Sequence, residues 1–126
     1  MSSVGSRKAK GLIDRLGGVE SVRELLDRFY LRLFDDVLVG FFFVGHDRAT
    51  IVEGQLQFLR WATGEQADLA GRHPSTAHEG LPPILGGHFD RRLVVLDEVL
   101  REEGVADADR ESWLRIERSM RKHLVK

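Results

Sequence analysis

The chain has 126 residues, 19 basic against 20 acidic side chains, a formal net charge of −1 and no cysteine. That balance argues against nucleic-acid binding, and the missing thiols exclude disulfide scaffolds, thiolate metal sites and cysteine nucleophiles. With 42% hydrophobic and 31% charged residues, the composition is that of one folded domain built on a single core.

The first ten residues, MSSVGSRKAK, are polar and basic, without the apolar stretch of a signal peptide. Residues 1–10 read as a flexible extension of a single domain spanning 1–126. No run approaches the roughly 20 apolar residues that cross a bilayer, so the expected location is the cytoplasm, without a membrane partner. A short helix is expected over Gly11 to Leu16, stopped by Gly17-Gly18. Ser21 with Glu24 forms a capping pair for a longer helix, whose apolar face is Val22, Leu25, Leu26, Phe29 and Leu33, with Tyr30 on or beside it.

Phe41, Phe42 and Phe43 lie between Gly40 and Gly45, and three consecutive aromatics cannot all face one core. Asp47 caps the next predicted helix, with Ile51, Gln55, Phe58, Leu59 and Ala62 inward and Gly64 as its stop. Residues 64–83 form an irregular connection that holds all three prolines; structureless segments of this length are uncommon in compact domains and usually functional. A third long helix runs from about Gly87 to Glu103, with Phe89, Leu93, Leu96 and Leu100 inward and Gly104 as its stop. The last starts near Asp107 or Asp109 and buries Trp113, Ile116, Met120 and Leu124. No segment alternates with period two over a convincing length, so the fold is expected to be all-α.

Most charged residues fall on outward helix faces. Arg115, Arg118, Arg121, Lys122 and Lys126, alternating with Glu117, read as the solvated side of the last helix. Two polar tips stand on apolar faces instead. Burying the Gln55 amide or the Tyr30 hydroxyl without a partner would cost a few kcal/mol. Either each is satisfied by a neighbour, which can be the other of the two, or both face one cavity as a pair of donors. His78 lies in Ser75 to Leu81, where Thr76 and Glu79 can cap a single helical turn. None of the histidines has zinc-type spacing, and no phosphate-loop, nucleophile-elbow or dinucleotide motif occurs.

Taken in order, Leu12-Ile13-Asp14-Arg15-Leu16-Gly17-Gly18, Asp27-Arg28-Phe29-Tyr30, Phe42-Phe43-Val44-Gly45, Gln55-Leu56-Gln57-Phe58-Leu59, Ala62-Thr63-Gly64, Gly71-Arg72, Ala77-His78-Glu79-Gly80-Leu81 and His88-Phe89-Asp90 form a succession. It resembles the truncated haemoglobins, the two-over-two globins, and most closely their first group. Each piece alone is weak; their order and spacing carry the resemblance over roughly residues 11 to 105. His88-Phe89-Asp90 falls one residue later than is usual in the family, after Pro82-Pro83, and Gly64-Glu65 stands where the family has a second glycine pair.

The resemblance implies a globin-like helical sandwich around haem b (Fe-protoporphyrin IX), with His78 as the proximal iron ligand. It implies that Tyr30 and Gln55 are the distal donors to bound O₂, that Phe43 packs on the porphyrin, and that Phe29, Ile51, Phe58, Leu59 and Phe89 line the rest of the pocket. The implied ligands are O₂, NO and CO, in a monomer or weak dimer; nitric-oxide dioxygenation would draw electrons from a separate reductase. His46 is a second axial candidate. A haem-free helical interaction module is the alternative from another class, and a peroxidase-like enzyme, which needs a distal acid–base histidine, has only His46 to offer.

Overall fold

The computed structural model describes residues 11–67 and 82–126. Gly17 and Gly18, with φ of 103° and 98°, separate a single-turn helix α1 (Leu12–Arg15) from α2 (Val19–Phe34). These left-handed values are costly for residues with a Cβ, which is why the turn uses two glycines. They also overturn the expected Ser21–Glu24 cap. The glycine pair starts α2 ahead of Ser21, and the Ser21 hydroxyl instead donates to the Leu16 carbonyl at 2.7 Å, closing the preceding turn.

Asp36 organises the segment after α2. Its carboxylate accepts from the Leu38 and Val39 amides at 3.0 and 3.2 Å and from Arg91 Nε and Nη2 at 2.9 and 2.6 Å. A 3₁₀ turn follows over Gly40–Phe43, where a Cβ on Gly40 would stand 2.7 Å from the Phe34 carbonyl oxygen. The three phenylalanines diverge as expected: Phe41 is half exposed, while Phe42 and Phe43 pack against the core.

Helix α3 (Arg48–Ala62) has the predicted Asp47 cap, its carboxylate accepting from the Thr50 amide at 3.1 Å and the Thr50 hydroxyl at 2.7 Å. Two adjacent stripes share its inner side. Val52, Leu56 and Leu59 are buried, whereas Ile51 and Gln55, expected on the inner face, lie half-buried on its flank. Helix α4 (Gly86–Glu102) buries Phe89, Val95, Leu96, Val99 and Leu100, with Leu93 only half-buried. The expected final helix is two: α5 (Asp107–Ser119) and one turn, α6 (Arg121–Leu124). At the break the Ser119 hydroxyl donates to the Ile116 carbonyl at 2.6 Å, the local competition that serine offers a helix.

α2 packs on α3 and on α4, α4 packs on α5, and α1 lies on α5. The result is the all-α fold expected from the helical periods, in the two-over-two arrangement that the resemblance implies. Trp113, Phe29, Leu26, Leu56, Leu96 and Leu100 are fully buried where the helices meet, each burial of this kind contributing about 1.5–3 kcal/mol. Among the described residues there is no strand, only an isolated bridge between Ile84 and Val125, and no helix is long and apolar enough to cross a membrane. The expected extension 1–10 and the expected turn carrying His78 lie outside the described residues.

Candidate functional site

Tyr30, late in α2, and Gln55, in the middle of α3, project toward α4, and both meet the same side chain there. The Arg92 guanidinium donates from Nη1 to the Tyr30 hydroxyl oxygen at 2.9 Å and from Nη2 to Gln55 Oε1 at 3.3 Å. The two polar tips are therefore brought together through a third residue. Arg92 is held in turn by Glu117 of α5, which accepts from Nη2 at 2.8 Å and from Nε at 3.2 Å. The second Glu117 oxygen accepts from Trp113 Nε1 at 3.4 Å.

Glu117 corrects the sequence reading that placed it on a solvated face: its side chain is 6% exposed and that of Arg92 is 19% exposed. A buried charge persists only when it is paired and hydrogen-bonded, and each of these supplies the other's partner. Arg92 was not among the sequence candidates. It lies at the register 89–92–96–99 of α4, the buried stripe, so its position on the inner face was readable from the spacing.

Aromatic rings frame the cluster. The Arg92 guanidinium sits 4.9 Å from the Phe29 ring centroid and 5.5 Å from that of Tyr30. Phe29 leans on Tyr30 at 4.9 Å, and Phe43 meets Tyr30 edge-on at 5.9 Å while stacking on Phe34 at 4.8 Å. Burial pushes the Tyr30 phenol above its ordinary range, with Arg92 pulling it partly back, so it is a neutral hydroxyl at physiological pH. Desolvation opposes the Arg92 charge, but the oxygens of Tyr30 and Glu117 outweigh it and hold the guanidinium protonated.

The other sequence candidates distribute around this centre. Ile51 borders Gln55 on the flank of α3, Phe58 is buried against Trp61 with ring centroids 5.9 Å apart, and Leu59 is wholly in the core. Phe89 is buried one helical turn before Arg92, with the Arg121 guanidinium 5.5 Å over its ring. His46 is exposed in the turn before α3, its amide donating to the Phe43 carbonyl at 3.0 Å. His88 accepts from the Leu85 amide through Nδ1 at 3.0 Å and stands edge-on to Phe41 and Phe42.

The chemistry of this donor set is compatible with the haem pocket that the resemblance implies. Neutral and cationic donors converge among aromatic walls, an arrangement that suits a small polar ligand. Phe41 and Leu85 are each about half exposed, and Phe42, Ile51, Trp61 and Leu93 are half-buried, which leaves apolar surface open to solvent.

Comparison with known proteins bears on the same point. The profile of the family described as bacterial-like globin matches residues 11–126. The chain is 35% identical over 99 residues to the group 1 truncated haemoglobin LI410 of Chlamydomonas moewusii, an alignment covering 78% of this chain and 58% of that protein. It is 33% identical over 99 residues to the group 1 truncated haemoglobin GlbN of Synechocystis, covering 76% of this chain and 80% of the relative. Among solved structures, the two-over-two haemoglobin of Synechococcus, in its cyanomet state with covalently attached haem, superposes with a TM-score of 0.78 at 28% identity, covering 90% of this chain and 94% of that one. The Fe(III) truncated haemoglobin of Tetrahymena pyriformis superposes with a TM-score of 0.80 at 26% identity, covering 90% and 97%.

Proposed function

The chain belongs to the bacterial-like globin family and carries the truncated haemoglobin fold, and from that premise we propose that it is a haem-binding protein that reversibly binds O₂, with NO and CO as further ligands. In this reading the cofactor is haem b, His78 is its proximal ligand, and the cluster around Tyr30 is the distal side of the pocket. Haem supplies an iron that takes up a diatomic ligand reversibly when ferrous.

The observation that carries the reading is that Tyr30 and Gln55, from two different helices, converge on one buried centre with hydrogens still to donate. O₂ in a globin pocket gathers partial negative charge, whereas CO does so far less. Donors held in a water-poor site favour the more polar ligand, each contact being worth about 1.5–3 kcal/mol. Phe29 and Phe43 pack on the Tyr30 ring, and Phe41, Phe42 and Leu85 would supply apolar surface for the macrocycle. Turnover of NO would draw its electrons from a separate reductase.

Reconstitution with haemin tests the proposal. A sharp Soret band that moves on reduction and again with CO, and that His78→Ala loses or broadens, is the expected result. A flat trace after desalting would overturn it and leave a haem-free helical interaction module as the reading.

A further inference from the structure

Arginine carries hydrogen-bond donors and no acceptor. The contacts of Arg92 therefore fix the direction of hydrogen bonding in its neighbours. The Tyr30 oxygen accepts from Nη1, so its one proton is directed elsewhere; Gln55 must turn Oε1 rather than its amide nitrogen toward Nη2, so both amide hydrogens face away from Arg92. Without Arg92, the Tyr30 hydroxyl and the Gln55 carbonyl would be free to satisfy each other, and the phenol proton would be spent between them.

Arg92 is itself immobilised. Glu117 takes two of its bonds, Trp113 holds the other Glu117 oxygen, and the guanidinium lies against the rings of Phe29 and Tyr30. The relay thus runs from α5 through α4 to α2 and α3. Because Glu117 cancels its charge locally, Arg92 is suited to orienting neighbours and poorly suited to capturing anions from solvent.

We infer that Arg92 is the positioning residue of the pocket: by donating to Tyr30 and Gln55 at once, it holds both as donors toward a bound ligand and thereby sets the preference for O₂ over CO. The inference rests on the haem-binding reading above and goes beyond it in assigning that preference to a residue that need not touch the ligand.

The test uses the haem-reconstituted chain as wild type, Arg92→Met, the pair Tyr30→Phe/Gln55→Leu, and the triple variant. Release rates of O₂ and CO are measured, with the C–O stretching frequency of the CO adduct as a spectroscopic readout of the field in the pocket. Arg92→Met should raise the ratio of O₂ to CO release rates by roughly five- to tenfold and move the C–O stretch to higher frequency. Adding Arg92→Met to Tyr30→Phe/Gln55→Leu should then change neither quantity further. An equal effect in that background would mean that Arg92 contacts the ligand directly, and an unchanged ratio in Arg92→Met alone would mean that it orients nothing; either overturns the inference.

Arg92→Met leaves Glu117 buried and unpaired, so Arg92→Met/Glu117→Leu, which removes both charges, serves if the single variant does not fold; the same shifts are expected of it. A wild-type chain without a CO-sensitive Soret band overturns the haem reading and this inference with it. A normal band in every variant, with no coupling between Arg92 and the donors, overturns this inference alone.

Discussion

Replacing Glu117 with glutamine keeps the shape of the side chain and removes its charge. In the wild type, Glu117 accepts from Arg92 at 2.8 and 3.2 Å and from Trp113 Nε1 at 3.4 Å. The substituted amide would offer one oxygen to both donors and turn its NH₂ toward one of them. Arg92 would remain inside, opposed only by the dipoles of Tyr30, Gln55 and the new amide. Removing one member of a buried ion pair costs about 3–5 kcal/mol. The lower end applies, because a fifth of the Arg92 side chain still meets solvent and the glutamine keeps one acceptor. For a domain of this size, about 3 kcal/mol corresponds to a fall in Tm of roughly 10–15 °C. Urea unfolding followed by far-ultraviolet circular dichroism measures it, with Glu102→Gln as the control. Glu102 pairs with Arg32 on the surface, both side chains about half exposed, and its loss should cost under about 1 kcal/mol. Replacing both buried charges, as Arg92→Met/Glu117→Leu, should recover most of the lost stability, since a well-packed apolar pair often equals a buried ionic one. If Glu117→Gln is no more destabilising than Glu102→Gln, the burial argument is wrong.

Three other outcomes follow from the same geometry. Tyr30→Phe removes a donor from the pocket and should speed O₂ release by about tenfold or more, a charge-assisted contact being worth about 1.5–3 kcal/mol; an unchanged rate in stopped flow would place the hydroxyl away from the ligand. Arg91 and two backbone amides hold the Asp36 carboxyl below the usual carboxylate range, so its stabilising contribution is complete above the unfolded value near pH 4 (about 3.9) and is lost as pH falls from there through the lower folded value. Asp36→Asn should therefore lower the urea midpoint at neutral pH and converge on wild type in acid; a gap that stays constant with pH would contradict this. Gly40→Ala forces a methyl group to within 2.7 Å of the Phe34 carbonyl oxygen, and the shift of the Phe41–Phe43 turn that follows should cost about 1–3 kcal/mol, read from the denaturation midpoint.

Signals confined to neighbouring residues translated directly into structure. The Asp47 cap, the Gly17-Gly18 stop and the divergence of Phe41 to Phe43 each depend on a few residues, and each is present as read. Ser21 shows the limit of this kind of reading. Its spacing to Glu24 fits a capping box, but two glycines ahead of it adopt positive φ and start the helix first, leaving the hydroxyl to the Leu16 carbonyl. A local motif loses when the backbone next to it has already settled the geometry.

The central polar cluster shows a different limit. Tyr30 and Gln55 stood out because a polar tip on an apolar stripe asks for a partner, and the structure brings them to a common one. Arg92 and Glu117 occupy equally apolar stripes, 89–92–96–99 and 113–117–120, yet a long charged side chain at such a position can also extend its head to solvent, so each alone reads as surface. They explain each other only as a pair, and the pairing depends on how α4 lies against α5, which no single helical period contains. Two opposite charges on the inward stripes of consecutive helices are thus a signal that no residue shows by itself. Helix connectivity makes such neighbours antiparallel and adjacent, and burial then requires the charges to find one another. In this chain the pair also reaches the two polar tips, so the element hardest to read from the sequence is the one that directs their hydrogen bonds.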